Sequence, residues 1–154
     1  MSIDRPPLGR LSIDRPPLGR QPASMIITRL ETPLEVDEVL SRSSGEQVLL
    51  FFGTERPETG ASWCGDCVIA HPVIRATLSA IRSREVTLHE CPVGDRQAYK
   101  DVADHAYRVD PRVRLARIPT FLRIVDGQEI GRLVEAECSD PDRLLELMAR
   151  ADPR

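Results

Sequence analysis

Trp63-Cys64-Gly65-Asp66-Cys67 holds the two side chains of this 154-residue chain best suited to chemistry. Thiols two residues apart can close a disulfide within the chain, and a thiolate on the first can attack a disulfide elsewhere. Their setting adds weight. An apolar run, Val48 to Phe52, stops at Gly53; after an irregular stretch from Thr54 to Ser62, apolar residues recur at Cys67, Ala70, Ile74, Leu78 and Ile81. That is a buried strand followed by an amphipathic helix, with the pair at the junction. Cys64 is then expected at the helix N-terminus, where unpaired N–H groups and the positive end of the dipole favour a thiolate and make it the attacking sulfur. Cys67, one turn further in, is expected to resolve the mixed disulfide. A zinc site would need distant residues to converge, because Cys91 and Cys138 stand alone and His71 is the only histidine near the pair. Redox chemistry is therefore preferred and no metal is expected. Cys91 and Cys138 read as small buried hydrophobes, and His71 as an exposed helix residue rather than a proton shuttle.

The elements that must position this pair can be traced from Met25. Met25 to Thr28 reads as a strand, and Thr32, Pro33 and Glu35 form the start of a helix with a capping box, carrying Val36, Val39 and Leu40 on its apolar side. Pro72 falls inside the helix after the pair and predicts a kink rather than a stop. Val86 to Val93 is a further strand, although His89 and Glu90 sit awkwardly in a covered one, and Tyr99 to Tyr107 is a weaker helix. Ile118 to Val125 and Glu129 to Glu135 flank Asp126-Gly127, a hairpin signal. Asp140 and Pro141 open a last helix with Leu144, Leu145 and Met148 on its buried side. The order of elements predicts an α/β fold with a mixed sheet and helices on both faces.

Composition narrows the function classes. Hydrophobic and charged shares of 41% and 29% are those of a globular chain without a bilayer-length apolar run, so no membrane is expected. Net charge of -3 and 4% aromatics disfavour nucleic acid. Residues 1–24 repeat Ser-Ile-Asp-Arg-Pro-Pro-Leu-Gly-Arg at 2–10 and 12–20, and read as a disordered arm; Met25 could serve as a second start. The arm lacks the apolar core of a secretory signal, and its Asp4, Asp14 and proline pairs spoil a mitochondrial one, so a reducing, cytoplasmic setting is expected.

Trp63-Cys64-Gly65-Asp66-Cys67, with Pro72 beyond it and Ile118-Pro119-Thr120 later, resembles the thioredoxin signature. The chain is more closely similar to the thioredoxin domain-containing protein 17 family, also called the 14-kDa thioredoxin-related proteins, whose motif is Trp-Cys-x-Asp-Cys. Asp66 is the discriminating residue, since thioredoxins proper have proline there. The resemblance runs from Met25 to about Ala149 and takes in Cys91-Pro92-Val93-Gly94, Pro119-Thr120-Phe121-Leu122 and Leu133-Val134-Glu135-Ala136-Glu137-Cys138. It implies a thioredoxin fold, a central mixed β-sheet flanked by helices on both faces, over 25–150 with a short tail at 151–154. It also implies Cys64 as nucleophile, Cys67 as resolving thiol and Pro119 as a cis-proline facing them. Trp63, Gly65, Ile118, Pro119 and Thr120 would line the substrate groove. The implied activity is reduction of protein disulfides and cystine by a monomer with no bound cofactor beyond the Cys64-Cys67 disulfide, recharged by NADPH through thioredoxin reductase.

Two departures from the family bear on mechanism. Where thioredoxins carry a buried aspartate this chain has Phe51, and where the family has an acid it has His71. Asp66 either takes part in proton transfer from Cys67 or simply occupies a helix first turn that favours acids, and the sequence leaves both open. Glu55 and Glu58 are expected to add negative charge near the site. A redox-inactive binding module that uses the same groove is the alternative function.

Overall fold

In this computed structural model the described residues are 25–151. The arm expected at 1–24 and the end of the tail, 152–154, lie outside them. Five strands form one mixed sheet in the order β1-β3-β2-β4-β5: β1 Met25–Arg29, β2 Glu46–Phe52, β3 Val86–Pro92, β4 Thr120–Val125 and β5 Gln128–Val134. β1 and β2 run parallel to β3, while β4 pairs antiparallel with both β2 and β5. Five α-helices accompany them, α1 Pro33–Leu40, α2 Gly65–Ser79, α3 Arg96–Tyr99, α4 Ala106–Val109 and α5 Pro141–Ala149, and Glu135–Ser139 forms a 3-10 helix before the last. Neighbouring residues of β2 show that both faces are covered. Phe51 meets Tyr107 of α4 edge-on at 5.1 Å, and Phe52 meets His71 of α2 at 4.9 Å, because successive strand residues point to opposite faces.

Local chemistry explains several elements. Thr32 and Glu35 form the capping box of α1. α2 runs on through Pro72, as the continuing apolar period requires. Asp126 and Gly127 take positive φ angles of 51° and 80°, which fits a tight two-residue turn whose twist matches its strands. The helix expected across Tyr99 to Tyr107 is instead two single turns. Asp95 caps the first through the Ala98 N–H at 2.8 Å, Asp101 turns the chain at φ 61°, and His105 caps the second through the Tyr107 N–H at 3.1 Å. The apolar spacing was real, since Tyr99 and Tyr107 are both buried, but two caps and one left-handed residue outweigh it. In α5 the buried side is Leu144, Leu147 and Met148, whereas Leu145 is 44% exposed.

Polar side chains inside the sheet are all partnered. Arg123 reaches Glu46 at 2.7 Å and the carbonyls of Leu147 and Arg150 at 3.2 and 3.0 Å, tying the end of α5 to the sheet. His89, awkward in a covered strand, bonds the Thr28 hydroxyl at 2.6 Å and the Gln47 amide oxygen at 3.2 Å. Burial lowers its pKa from 6.5 to about 4. The neutral ring is therefore native, and between those two values the unfolded chain binds a proton that the folded chain does not. The stability His89 contributes is present above pH 6.5 and declines as pH falls towards 4. His89→Gln is expected to flatten that part of a urea-midpoint profile measured from pH 7 to pH 4; an unchanged slope would count against a buried neutral ring.

Candidate functional site

The register of the sheet brings the two sequence-distant halves of the site together. Phe51 pairs with Thr120 across β2 and β4, so the Ile118-Pro119 segment lies opposite the end of β2, from which the loop to Cys64 departs. The Ile118–Pro119 peptide is cis. Along the loop, Arg29 holds Glu55 through two hydrogen bonds of 2.9 and 2.8 Å, and Glu55 and Ser62 form a bridge. Glu55 is thus ion-paired with Arg29, which also holds Glu31 at 2.7 Å, so the negative charge expected of Glu55 is offset only in part.

Ser62 and Trp63 set the position of Cys64. The Ser62 hydroxyl donates to the Gly53 carbonyl at 2.6 Å and accepts from the Cys64 N–H at 3.1 Å. The Trp63 indole donates to the Gly94 carbonyl at 2.9 Å. Gly53 is required beneath it, because a Cβ there would stand 2.7 Å from the indole carbon Cε2. Cys64 then caps α2, its sulfur accepting the Cys67 N–H at 3.2 Å and lying 3.9 Å from the Ile118 carbonyl. It is 9% exposed and Cys67 is 1% exposed. Both are buried, but Cys64 keeps a little exposure where it borders the groove and Cys67 keeps almost none.

The two thiols are driven apart in acidity. The Cys64 pKa falls to about 7, first because the Cys67 thiol hydrogen-bonds to it; burial opposes the fall, and the N–H groups of Cys67 and Asp66 add smaller contributions to it. The helix terminus expected to activate Cys64 does contribute, but its partner thiol contributes more. Cys67 is pushed far up by the same hydrogen bond and by burial. The negative charge of Asp66 opposes the effect by raising Cys64. Asp66→Asn is therefore expected to move the midpoint of Cys64 alkylation by iodoacetamide to lower pH; a higher midpoint would show that this charge does not reach the sulfur.

A groove of about 670 Å³ opens beside Cys64, walled by Trp63, Tyr99, Arg108, Arg117 and Ile118 among others. Arg108 lies 3.9 Å over the Tyr99 ring and donates to the carbonyls of Ala116 and Tyr99, joining the two walls. Of the expected groove residues, Trp63 and Ile118 are on its walls. Gly65 is exposed in the first turn of α2, and Pro119 and Thr120 are buried, the Thr120 hydroxyl donating to the Arg117 carbonyl at 2.6 Å. Thr120 braces the loop and does not present itself to a substrate.

Behind the pair is a second space of about 310 Å³, bordered by Ser62, Cys67, His71 and Arg75. His71 is not exposed as expected. Its Nε2 is 2.6 Å from Glu90, which also takes two hydrogen bonds of 2.8 Å from Arg75. Burial would raise the Glu90 carboxyl, but the bonds from His71 and Arg75 prevail and hold it at about 2. Nothing in the sequence pairs Glu90 with α2, although His71 and Arg75, four residues apart on one helix face, are a usable signal for a shared partner. Cys91 and Cys138 are fully buried free thiols with strongly raised pKa values, as small hydrophobes would be. Among the described residues no group of three or more His, Cys, Asp or Glu side chains is placed to hold a metal ion, and no helix is long and apolar enough to cross a membrane.

Comparison with known proteins agrees with this geometry. The family described as thioredoxin domain-containing protein 17-like, thioredoxin domain, matches residues 29–150. The thioredoxin-like protein Clot of Arabidopsis thaliana is 41% identical over 102 residues, 66% of this chain and 74% of that protein. Thioredoxin domain-containing protein 17 of Danio rerio is 35% identical over 118 residues, 77% of this chain and 89% of that protein. Among solved structures, thioredoxin O2 of Arabidopsis thaliana in its oxidised state superposes with a TM-score of 0.51 at 21% identity, covering 82% of this chain and 92% of the other. That likeness shows the thioredoxin fold.

Proposed function

Because the chain belongs to the thioredoxin domain-containing protein 17-like family of thioredoxin-fold proteins, we propose that it is a thiol-disulfide oxidoreductase that reduces protein disulfides and small disulfides such as cystine. The observation that carries this reading is the split between its two thiols: a groove-lining Cys64 with a pKa of about 7, backed by a more deeply buried, protonated Cys67.

The Cys64 thiolate attacks one sulfur of the substrate disulfide, forming a mixed disulfide and releasing the other sulfur as a thiolate. Cys67 loses its proton and attacks Cys64, closing the Cys64-Cys67 disulfide and freeing the second substrate sulfur. Two electrons have then passed from the protein to the substrate. The Ile118 backbone beside the groove offers an edge along which an extended substrate segment can dock as an added strand. NADPH, acting through thioredoxin reductase, is the proposed source of electrons for the next cycle, and the cytoplasm and a monomeric state the proposed setting.

The test is NADPH consumption in the presence of thioredoxin reductase, offering cystine and insulin in turn. Turnover with either supports the reading. No turnover with any disulfide, in a protein that folds, would favour the binding module instead.

A further inference from the structure

The resolving step poses a problem that the site as described does not solve. Cys67 must lose its proton before it attacks, yet it is buried at 1% exposure. The strand leading to the motif offers no acid there, because Phe51 is an apolar ring packed on Tyr107. Asp66 is exposed and is not among the residues bordering the space behind Cys67.

That space points elsewhere. Cys67 and His71 are four residues apart on α2, so they share one face of the helix, and both border the 310 Å³ space. Its borders are partly apolar, with Phe52, Val68 and Pro72, but Ser62, Glu55 and Arg75 also border it, so it has room for water and polar partners to hold it. Glu90 occupies His71 Nε2 at 2.6 Å and is itself fixed by Arg75. With Glu90 ionised, Nε2 carries the ring proton and donates it in that bond, leaving Nδ1 as the acceptor. We propose that His71, oriented by Glu90, accepts the Cys67 proton through water held in this space, so that the buried acid serving the resolving thiol comes from β3 rather than β2. The charged groups facing His71 are Glu90 from β3, Arg75 from α2 and Glu55 from the loop, the last tied to Arg29 of β1; β2 contributes the uncharged Phe52 ring.

This inference rests on the reductase reading and completes its second step. The Cys67 S–H bond breaks, its proton passes through water to His71 Nδ1, and the sulfur keeps the electron pair. That pair forms the bond to Cys64 as the bond from Cys64 to the substrate sulfur breaks. The substrate sulfur leaves with the bonding pair and takes up a proton, which His71 gives back to solvent or to that thiolate. Glu90 is a positioning residue throughout.

Stopped-flow reaction of the reduced protein with one equivalent of 5,5′-dithiobis(2-nitrobenzoate) separates the steps, since attack by Cys64 releases one coloured thiolate and resolution by Cys67 releases the second. In His71→Gln, which can still hydrogen-bond Glu90, the first phase is expected to stay within about twofold of wild type while the second slows about tenfold or more at pH 7, within the range of lost general-base assistance. The deficit should shrink as pH rises and hydroxide takes over. Imidazole added to His71→Ala should restore the second phase, and Glu90→Gln should slow it less than loss of the ring. A second phase in His71→Gln at the wild-type rate overturns the proposal, as does a slowing equal at every pH and unanswered by imidazole, which a structural role would give. If wild type shows no first phase, it is the reductase reading that fails.

Discussion

Cys64→Ser is expected to bring NADPH-coupled disulfide reduction down to the background rate, while Cys67→Ser is expected to stall after one half-reaction and accumulate a mixed disulfide. The asymmetry follows from geometry. Cys64 caps α2 at the mouth of the groove, and Cys67 is behind it with almost no exposed surface. A substrate disulfide can meet only the first sulfur. How much of the rate the lowered pKa supplies can be judged. At pH 7 a thiol with a pKa of about 7 is about half ionised, against about 1% at the unperturbed value of 9.0. That gain of about fiftyfold is offset by an about eightfold loss of nucleophilicity over two pKa units, leaving about sixfold. Activation of the thiolate is a modest part of any large acceleration, and positioning in the groove must supply the rest. Mass spectrometry of Cys67→Ser after exposure to cystine should show one added cysteine on Cys64. Turnover surviving in Cys64→Ser, or the adduct found on another residue, would reverse the assignment of nucleophile and resolving thiol.

Phe51→Ala is expected to cost about 3–5 kcal/mol of stability, the range for removing a fully buried aromatic side chain. Phe51 has no exposed surface, stands one residue from the end of β2 between Cys91 of β3 and Thr120 of β4, and packs edge-on against Tyr107. Few of its neighbours can move to fill the gap, because each belongs to a paired strand or to the turn beneath. The melting temperature should fall by about 10 °C or more. A loss below about 1 kcal/mol in urea unfolding would mean that this site relaxes easily. Phe51→Asp should be worse, since the carboxylate would enter an apolar layer without a partner. Restoring the acid that thioredoxins carry at this position would therefore not restore a proton acceptor. In this chain the acidic group is one strand over, at Glu90, and its support is His71 and Arg75 on the helix.

Much of the frame was legible because local patterns and tertiary needs agreed. The capping box at Thr32, the Asp126-Gly127 turn and the apolar period through Pro72 each had a local cause that survives in the fold. Where they disagreed, the error had a physical source. Tyr99 and Tyr107 are both core residues eight positions apart, which imitates a helix, but Asp95, Asp101 and His105 divide the segment into two turns. Leu145 and Leu147 are equally apolar, and only the packing of α5 against α2 and β5 decides that Leu147 is covered and Leu145 is not. His71 was assigned to solvent because its partner, nineteen positions away on a strand, could be named only once the pairing of β3 with β2 was known.

By itself the sequence determined that two thiols would stand one helical turn apart after a buried strand, with the first at the helix start. Spacing and apolar period are local properties, and they suffice for that. Only the tertiary structure decided what surrounds the sulfurs. The register of β2 with β4 brings Ile118 to Cys64, and that of β2 with β3 places Glu90 beneath α2. Acidity differences and proton paths depend on such distances between residues far apart in the chain, because hydrogen bonds and desolvation act over a few ångströms.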